Sequence, residues 1–159
     1  RVARELDEWL LGAQLPFQPI CGDWFDLDGS SLRASAARGV GLAILKSKTQ
    51  LFEVEIEVHA MASGRAGVIV DWKDIDEYLC AQVRGSRASI HQVKDGCKVL
   101  VEEQPCKVDA STRFTIQRGS GSTALLVDGR SIYTLDGEEP TVGLFVLDGV
   151  ATFRGLNWR

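Results

Sequence analysis

Between Leu51 and His59 apolar and polar residues alternate without a break. Phe52, Val54, Ile56 and Val58 fall on one side, and Glu53, Glu55, Glu57 and His59 on the other. A two-residue period is that of a β-strand with one face in a core and one in water. The same signal recurs in short runs from Gly22 onward. It predicts strands over Asp23–Leu27, Ser31–Ser35, Val40–Leu45, Leu51–His59, Ala66–Trp72, Glu77–Arg84 and Ala88–Val93. Further strands are predicted over Lys98–Glu102, Arg113–Gln117, Ala124–Val127, Ser131–Leu135, Thr141–Leu147 and Ala151–Trp158. Asp-Gly pairs beginning at Asp95, Asp128, Asp136 and Asp148 separate neighbouring runs, the chemistry of tight turns between antiparallel strands. No helix of three turns is predicted after residue 18, so the fold class is all-β.

The first 18 residues read differently. Glu5-Leu6-Asp7-Glu8-Trp9-Leu10-Leu11 mixes charge and bulk, and Pro16 and Pro19 punctuate the entry to the first strand. Residues 1–18 are expected to form a short leader or linker packing on the domain, and residues 19–159 the β-domain itself.

The chain has 159 residues, enough for one domain with a true core. Eighteen Lys and Arg against 22 Asp and Glu give a net charge of −4. Such a chain has no broad attraction for phosphate backbones, so nucleic acid is not expected as a partner. No apolar run approaches the ~18 residues that span a bilayer. The four cysteines, Cys21, Cys80, Cys97 and Cys106, contain no CxxC pair, and His59 and His91 lie near none of them in sequence. A zinc site is therefore not expected. Cys97 and Cys106 bracket a short segment and are open to pairing in an oxidising compartment, and four buried thiols are the competing reading.

Several motifs then fall in a recognisable order. The strand at 52–58 is followed by Ala66-Gly67-Val68-Ile69-Val70-Asp71-Trp72 and by Asp76-Glu77-Tyr78-Leu79-Cys80-Ala81-Gln82-Val83. Leu126-Val127-Asp128-Gly129-Arg130, Val142-Gly143-Leu144-Phe145-Val146 and Ala151-Thr152-Phe153-Arg154-Gly155-Leu156 come after. Over roughly residues 22–158 this order resembles the concanavalin A-like and laminin G-like sandwiches. Within them it is similar to the fructan-binding type of carbohydrate-binding module and to the keto-disaccharide hydrolase family. The resemblance implies a two-sheet antiparallel jelly-roll sandwich with a short N-terminal leader. It also implies sugar binding or sugar hydrolysis, with an oligo- or polysaccharide as partner. It further implies an accessory role in a larger carbohydrate-acting protein, with a neighbouring domain of the same polypeptide and an extracellular or periplasmic setting. One fold hosts many functions, so the residues must carry the rest.

The strand carboxylates are one candidate. Glu53-x-Glu55-x-Glu57 resembles the Glu-x-Asp-x-Glu signature of family-16 glycoside hydrolases, with Glu55 departing from the middle Asp. Glu53 and Glu57 would be the catalytic pair. A straight strand puts their backbones about 13 Å apart, and a retaining pair needs carboxyl groups about 5–5.5 Å apart. The competing reading is a solvated outer face paired to cations on neighbouring strands.

The sugar-binding candidates are Glu55, Asp71, Trp72, Tyr78, Gln82 and Arg84. A sugar needs an aromatic plate for its C–H face and planar polar groups for its hydroxyls. Alternation puts Gln82 and Arg84 on the face of Tyr78 and Cys80, but groups Trp72 with the core residues Val68 and Val70. The competing reading has Trp72 and Tyr78 closing one end of the sandwich and Arg84 paired to Glu53 or Glu55.

Arg154, Asn157 and Trp158 could extend such a surface, or Trp158 could pack on Trp9 or Phe17. The acids Asp23, Asp26 and Asp28, or Asp136, Glu138 and Glu139, offer hard oxygens for calcium without EF-hand spacing, against ordinary turn chemistry. No other cofactor is implied. GxSxG, HExxH, P-loop and GxGxxG signatures are absent.

Three readings compete. The first is a non-catalytic carbohydrate-binding module. The second is a glycoside hydrolase using Glu53 and Glu57. The third is a structural or protein-interaction domain of laminin G-like type.

Overall fold

The structure, a computed structural model, describes residues 17–27, 30–59, 64–84, 86–106 and 111–159, with the backbone alone for Ala37 and Arg84. The leader expected over residues 1–18 lies outside the described residues except for its last two. Among the described residues no helix is long and apolar enough to cross a membrane.

Twelve strands are formed by the described residues, in the order β1 (Phe17–Cys21), β2 (Asp23–Asp26), β3 (Leu32–Leu45), β4 (Leu51–His59), β5 (Arg65–Asp74) and β6 (Glu77–Arg84). Then come β7 (Arg87–Lys94), β8 (Cys97–Pro105), β9 (Thr112–Arg118), β10 (Ser122–Val127), β11 (Arg130–Asp136) and β12 (Gly143–Trp158). Phe17 and Gln18 thus belong to the sandwich. Pro19, which lacks the N–H a central ladder needs, sits in β1, where only β3 is a partner.

Strand β12 organises the molecule. On one side it pairs with β3 from Gly143↔Ile44 to Phe153↔Leu32. On the other side its first half pairs with β5 and its second half with β4. One sheet continues through β5-β6-β7-β8 and the second through β4-β9-β10-β11. The result is the expected antiparallel jelly-roll sandwich.

The alternation seen in the sequence fills the space between the sheets. Val68, Ala81 and Ile90 come from the first sheet, and Phe52, Val54, Ile56, Phe114 and Leu125 from the second. Trp24 stacks on Phe153 with ring centroids 5.5 Å apart, and its indole N–H donates to the Cys21 carbonyl at 2.9 Å.

Two expected breaks are absent. The runs expected over Ser31–Ser35 and Val40–Leu45 merge in β3, which begins at Leu32, and those over Thr141–Leu147 and Ala151–Trp158 merge in β12, which begins at Gly143. The Asp148-Gly149 pair makes no hairpin. It is a bulge between Leu147 and Gly149, with Asp148 at φ 51°. Opposite it, Gly39 takes φ 93° and its N–H donates to the Asp148 carboxylate at 2.8 Å. The paired strands bend together there and cross from one sheet to the other. Asp95-Gly96 and Asp128-Gly129 do form the expected turns, with both residues at positive φ.

Among the described residues no disulfide is formed. Cys97 opens β8 and Cys106 follows its end. Extended chain at ~3.3 Å per residue holds them about 30 Å apart, far beyond the ~7 Å a disulfide tolerates. Burial pushes the Cys80 thiol up to about 12.

Two outcomes are expected. Phe153→Ala should lower unfolding free energy by about 3–5 kcal/mol in urea titration, because Phe153 is wholly buried. Under native conditions a thiol-alkylating reagent should label exposed Cys97 quickly and Cys80 only on unfolding, as read by mass spectrometry.

Candidate functional site

The first sheet is apolar on both faces. Leu42, Ile44, Ile69, Tyr78, Cys80, Val93 and Phe145 form a second buried cluster. All but Val93 alternate with a residue of the main core, and Val93 pairs with Tyr78, so this cluster lies on the sheet's outer face. Across that face one row runs Leu42, Phe145, Gly67, Gln82, Ser89 and Glu103 by direct pairing. Gly67 is required there, because a Cβ would run into the Ala81 carbonyl oxygen.

Polar groups sit on this apolar floor. Gln82 is only 3% exposed. Its side-chain oxygen accepts a hydrogen bond from the Lys98 ammonium at 3.1 Å, and that ammonium lies 5.4 Å from the Phe145 ring centroid. Lys98 reaches over from β8, where it pairs with Val93. Burial is the main cause that lowers its pKa.

His91, paired with Cys80, stands beside it. Burial, then the charges of Lys98 and Arg65, push its pKa below the ordinary 6.5 against the smaller pull of Glu103. His91 Nδ1 and Arg65 Nε are both buried and have no hydrogen-bond partner. Leaving a buried polar atom unpaired costs roughly 1–3 kcal/mol. Native folds keep few such atoms, and functional surfaces are one place they persist.

Of the six sugar-binding candidates, three reach this face. Gln82 is central. Trp72 joins Tyr78, with ring centroids 5.4 Å apart and an interplanar angle of 32°. Strict alternation would have put Trp72 in the core with Val68 and Val70. A register shift between Ile69 and Asp71 reverses the parity and turns it outward. Burial, as the main cause, pushes the Tyr78 phenol up to about 12.

Asp71 faces the other way, because it pairs with the core residue Leu79, and makes an ion pair with Lys73 at 3.6 Å. It lines an open cleft of ≈ 330 Å³ at the end of the sandwich, together with Lys48, Trp72, Asp136 and Glu138. Arg84 occupies the position paired with Arg87, and its side chain is outside the described set.

Glu55 does not join them. It projects from the outer face of the second sheet, on the opposite side of the sandwich, because its neighbours Val54 and Ile56 are in the core. Its carboxylate lies 3.7 Å from the Arg154 guanidinium, and Glu57 lies 3.6 Å from the same group. Glu53 pairs with Arg113 at 3.6 Å and accepts from Asn157 at 3.2 Å. The two carboxylates of the hydrolase alternative thus lean towards different cations. Trp158 packs edge-on against Phe17 at 6.0 Å, since a bulge at Gly155 turns it inward. Among the described residues no three of His, Cys, Asp and Glu converge as a metal site would need. Asp28 lies outside the described residues.

Arg65, His91, Lys98 and Phe145 were not singled out by sequence reasoning. The Asp95-Gly96 turn held a signal for one of them. A two-residue hairpin fixes Val93 opposite Lys98, which places Lys98 on the face of His91 and Gln82.

No family model matches the sequence. No curated protein matches it either. Solved structures do match. One is the carbohydrate-binding module CBM66 from Bacillus subtilis, at TM-score 0.70 and 16% identity, covering 89% of this chain and 93% of that one. A functionally unknown protein from Saccharomyces cerevisiae matches at 0.65 and 10% identity, over 92% of this chain and 97% of that one. The GH43 protein BlXynB from Bacillus licheniformis matches at 0.63 and 14% identity, over 87% of this chain but 35% of that one. At such identities the likeness is one of fold, and it is the jelly-roll fold the sequence motifs resembled.

The lowered pKa of His91 carries a sign. The unfolded chain takes up a proton near pH 6.5 that the folded chain resists, so stability should fall as pH drops from about 6.5 through the lowered value. Urea midpoints between pH 7 and 5 should show this slope, and His91→Gln should flatten it.

Proposed function

We propose that this chain is a carbohydrate-binding β-sandwich module whose binding surface is the outer face of the first sheet, centred on Gln82. The observation that carries the reading is the set of polar side chains held over an aromatic floor. The Gln82 amide and the Lys98 ammonium meet above the Phe145 ring, with the Trp72–Tyr78 pair on the same face. Phe145 and Tyr78 form the buried floor, and the half-buried Trp72 ring is the one open to the apolar face of a sugar, with the amide and ammonium groups for its hydroxyls. Arg65 and His91 stand on the same face, with Arg65 Nε and His91 Nδ1 buried and unpartnered. The likeness in fold to a carbohydrate-binding module supports the same reading. Asp71, which shares the parity of the core residue Leu79, stands outside this site, and Arg84 adjoins it at the strand position two residues from Gln82. An accessory role beside another domain of the same polypeptide fits a binding module without catalytic groups of its own.

A second reading has one specific support. Strand β8 is an edge of its sheet, and Val99, Leu100 and Val101 are 60%, 51% and 45% exposed. Consecutive exposed apolar residues on an edge suit docking of another protein. The hydrolase alternative on Glu53 and Glu57 has no comparable support.

A glycan array on the purified domain separates these readings. A saturable hit is expected, at least about tenfold weaker in Gln82→Ala and unchanged in Arg154→Ala on the opposite face. Equal binding by Gln82→Ala would move the site elsewhere. A blank array from folded protein would favour protein docking through β8.

A further inference from the structure

We infer that the saccharide taken by this face is anionic, its carboxylate or sulfate group being met by Lys98 and Arg65. The inference rests on the carbohydrate reading above and names the ligand class for the same surface.

The charges around Gln82 do not balance. Among the described residues neither Lys98 nor Arg65 makes an ion pair, whereas Arg87 is matched by Glu103 at 3.3 Å. The nearby Asp148 carboxylate, whose charge acts on Lys98 from beyond ion-pair distance, accepts the Gly39 N–H at the bend. Lys98 spends one donor on a neutral amide and rests its charge on an aromatic ring, which leaves donors over. Arg65 pairs with Leu147 in β12, so it stands one row from Phe145 on the same face, with its Nε buried and unpartnered. The whole chain carries a net charge of −4, so this positive charge is local to the face and not a general property of the surface.

Two like charges held near each other in a partly dry setting repel, and an oxyanion between them removes that repulsion. Charge-assisted hydrogen bonds from an ammonium and a guanidinium to a carboxylate or sulfate are roughly twice as strong as neutral ones. A neutral sugar would use Gln82 and the Trp72 ring and would leave Lys98 and Arg65 without an ion-pair partner.

The test uses the full chain and two matched pairs of probes in isothermal titration: oligogalacturonate with its methyl ester, and dextran sulfate with dextran. One acidic member is expected to bind at least about tenfold more tightly than its neutral counterpart. Which pair shows the preference separates carboxylate from sulfate. Lys98→Gln and Arg65→Gln should erase the preference, Lys98→Arg should keep it, and Arg154→Gln on the far face should leave it unchanged. Thermal melting of each variant shows that the fold is retained. Equal binding of acidic and neutral members would overturn the anionic inference and leave the carbohydrate reading standing. A preference that survives Lys98→Gln and Arg65→Gln would also overturn it. Glycan-array binding confined to neutral sugars would do the same, and no binding to any array glycan or probe would overturn both.

Discussion

Both sheets depend on the ladder between β3 and β12. It is unbroken in direction from Ile44↔Gly143 to Leu32↔Phe153, yet it serves two sheets because both strands bend at the same level. The hydrogen bond from Gly39 to the Asp148 carboxylate joins the two bends. Gly39 and Asp148 each adopt positive φ, which glycine accepts freely and aspartate tolerates better than most residues. Past this point β12 exchanges β5 for β4 as its outer neighbour. The core then forms between the diverging halves, with Leu144 and Val146 before the bend and Ala151 and Phe153 after it.

Burial on both faces of the first sheet sets the chemistry of the proposed site. A sheet with one wet face would leave Gln82 and Lys98 in water, where their hydrogen bond would contribute little. Here Ile69, Cys80 and Phe145 make the surroundings apolar. The same surroundings hold His91 towards its neutral form and keep Cys80 protonated. The second sheet has the opposite character. Its outward Glu53, Glu55 and Glu57 meet Arg113 and Arg154 in half-exposed ion pairs, which contribute little to stability.

Most of the fold was legible because period-2 patterning and Asp-Gly turns are local signals. Leu51–His59 and Glu77–Arg84 appear with the bounds the pattern predicts. The failures are also local in origin. Asp148-Gly149 has the residues of a turn, and only pairing with β3 decides that it becomes a bulge. Alternation alone groups Trp72 with the core, a parity that one register shift reverses. Glu55 was grouped with Gln82 because sequence gives the side a residue faces within its strand, not which sheet that strand joins. Phe145 comes beside Gln82 only through the pairing of β12 with β5, a contact distant in sequence.

The position of β12 has a kinetic meaning as well. The strand central to both sheets follows every other described strand in the chain, and its main partner β3 is among the earliest. Closing so long a loop is entropically costly and slows folding. During synthesis the earlier hairpins emerge with their apolar faces uncovered and the gap between β3 and β5 unfilled. A nascent chain at that stage is a substrate for chaperones and for mispairing with its own kind, and the insertion of Gly143–Trp158 is the step that ends this exposure.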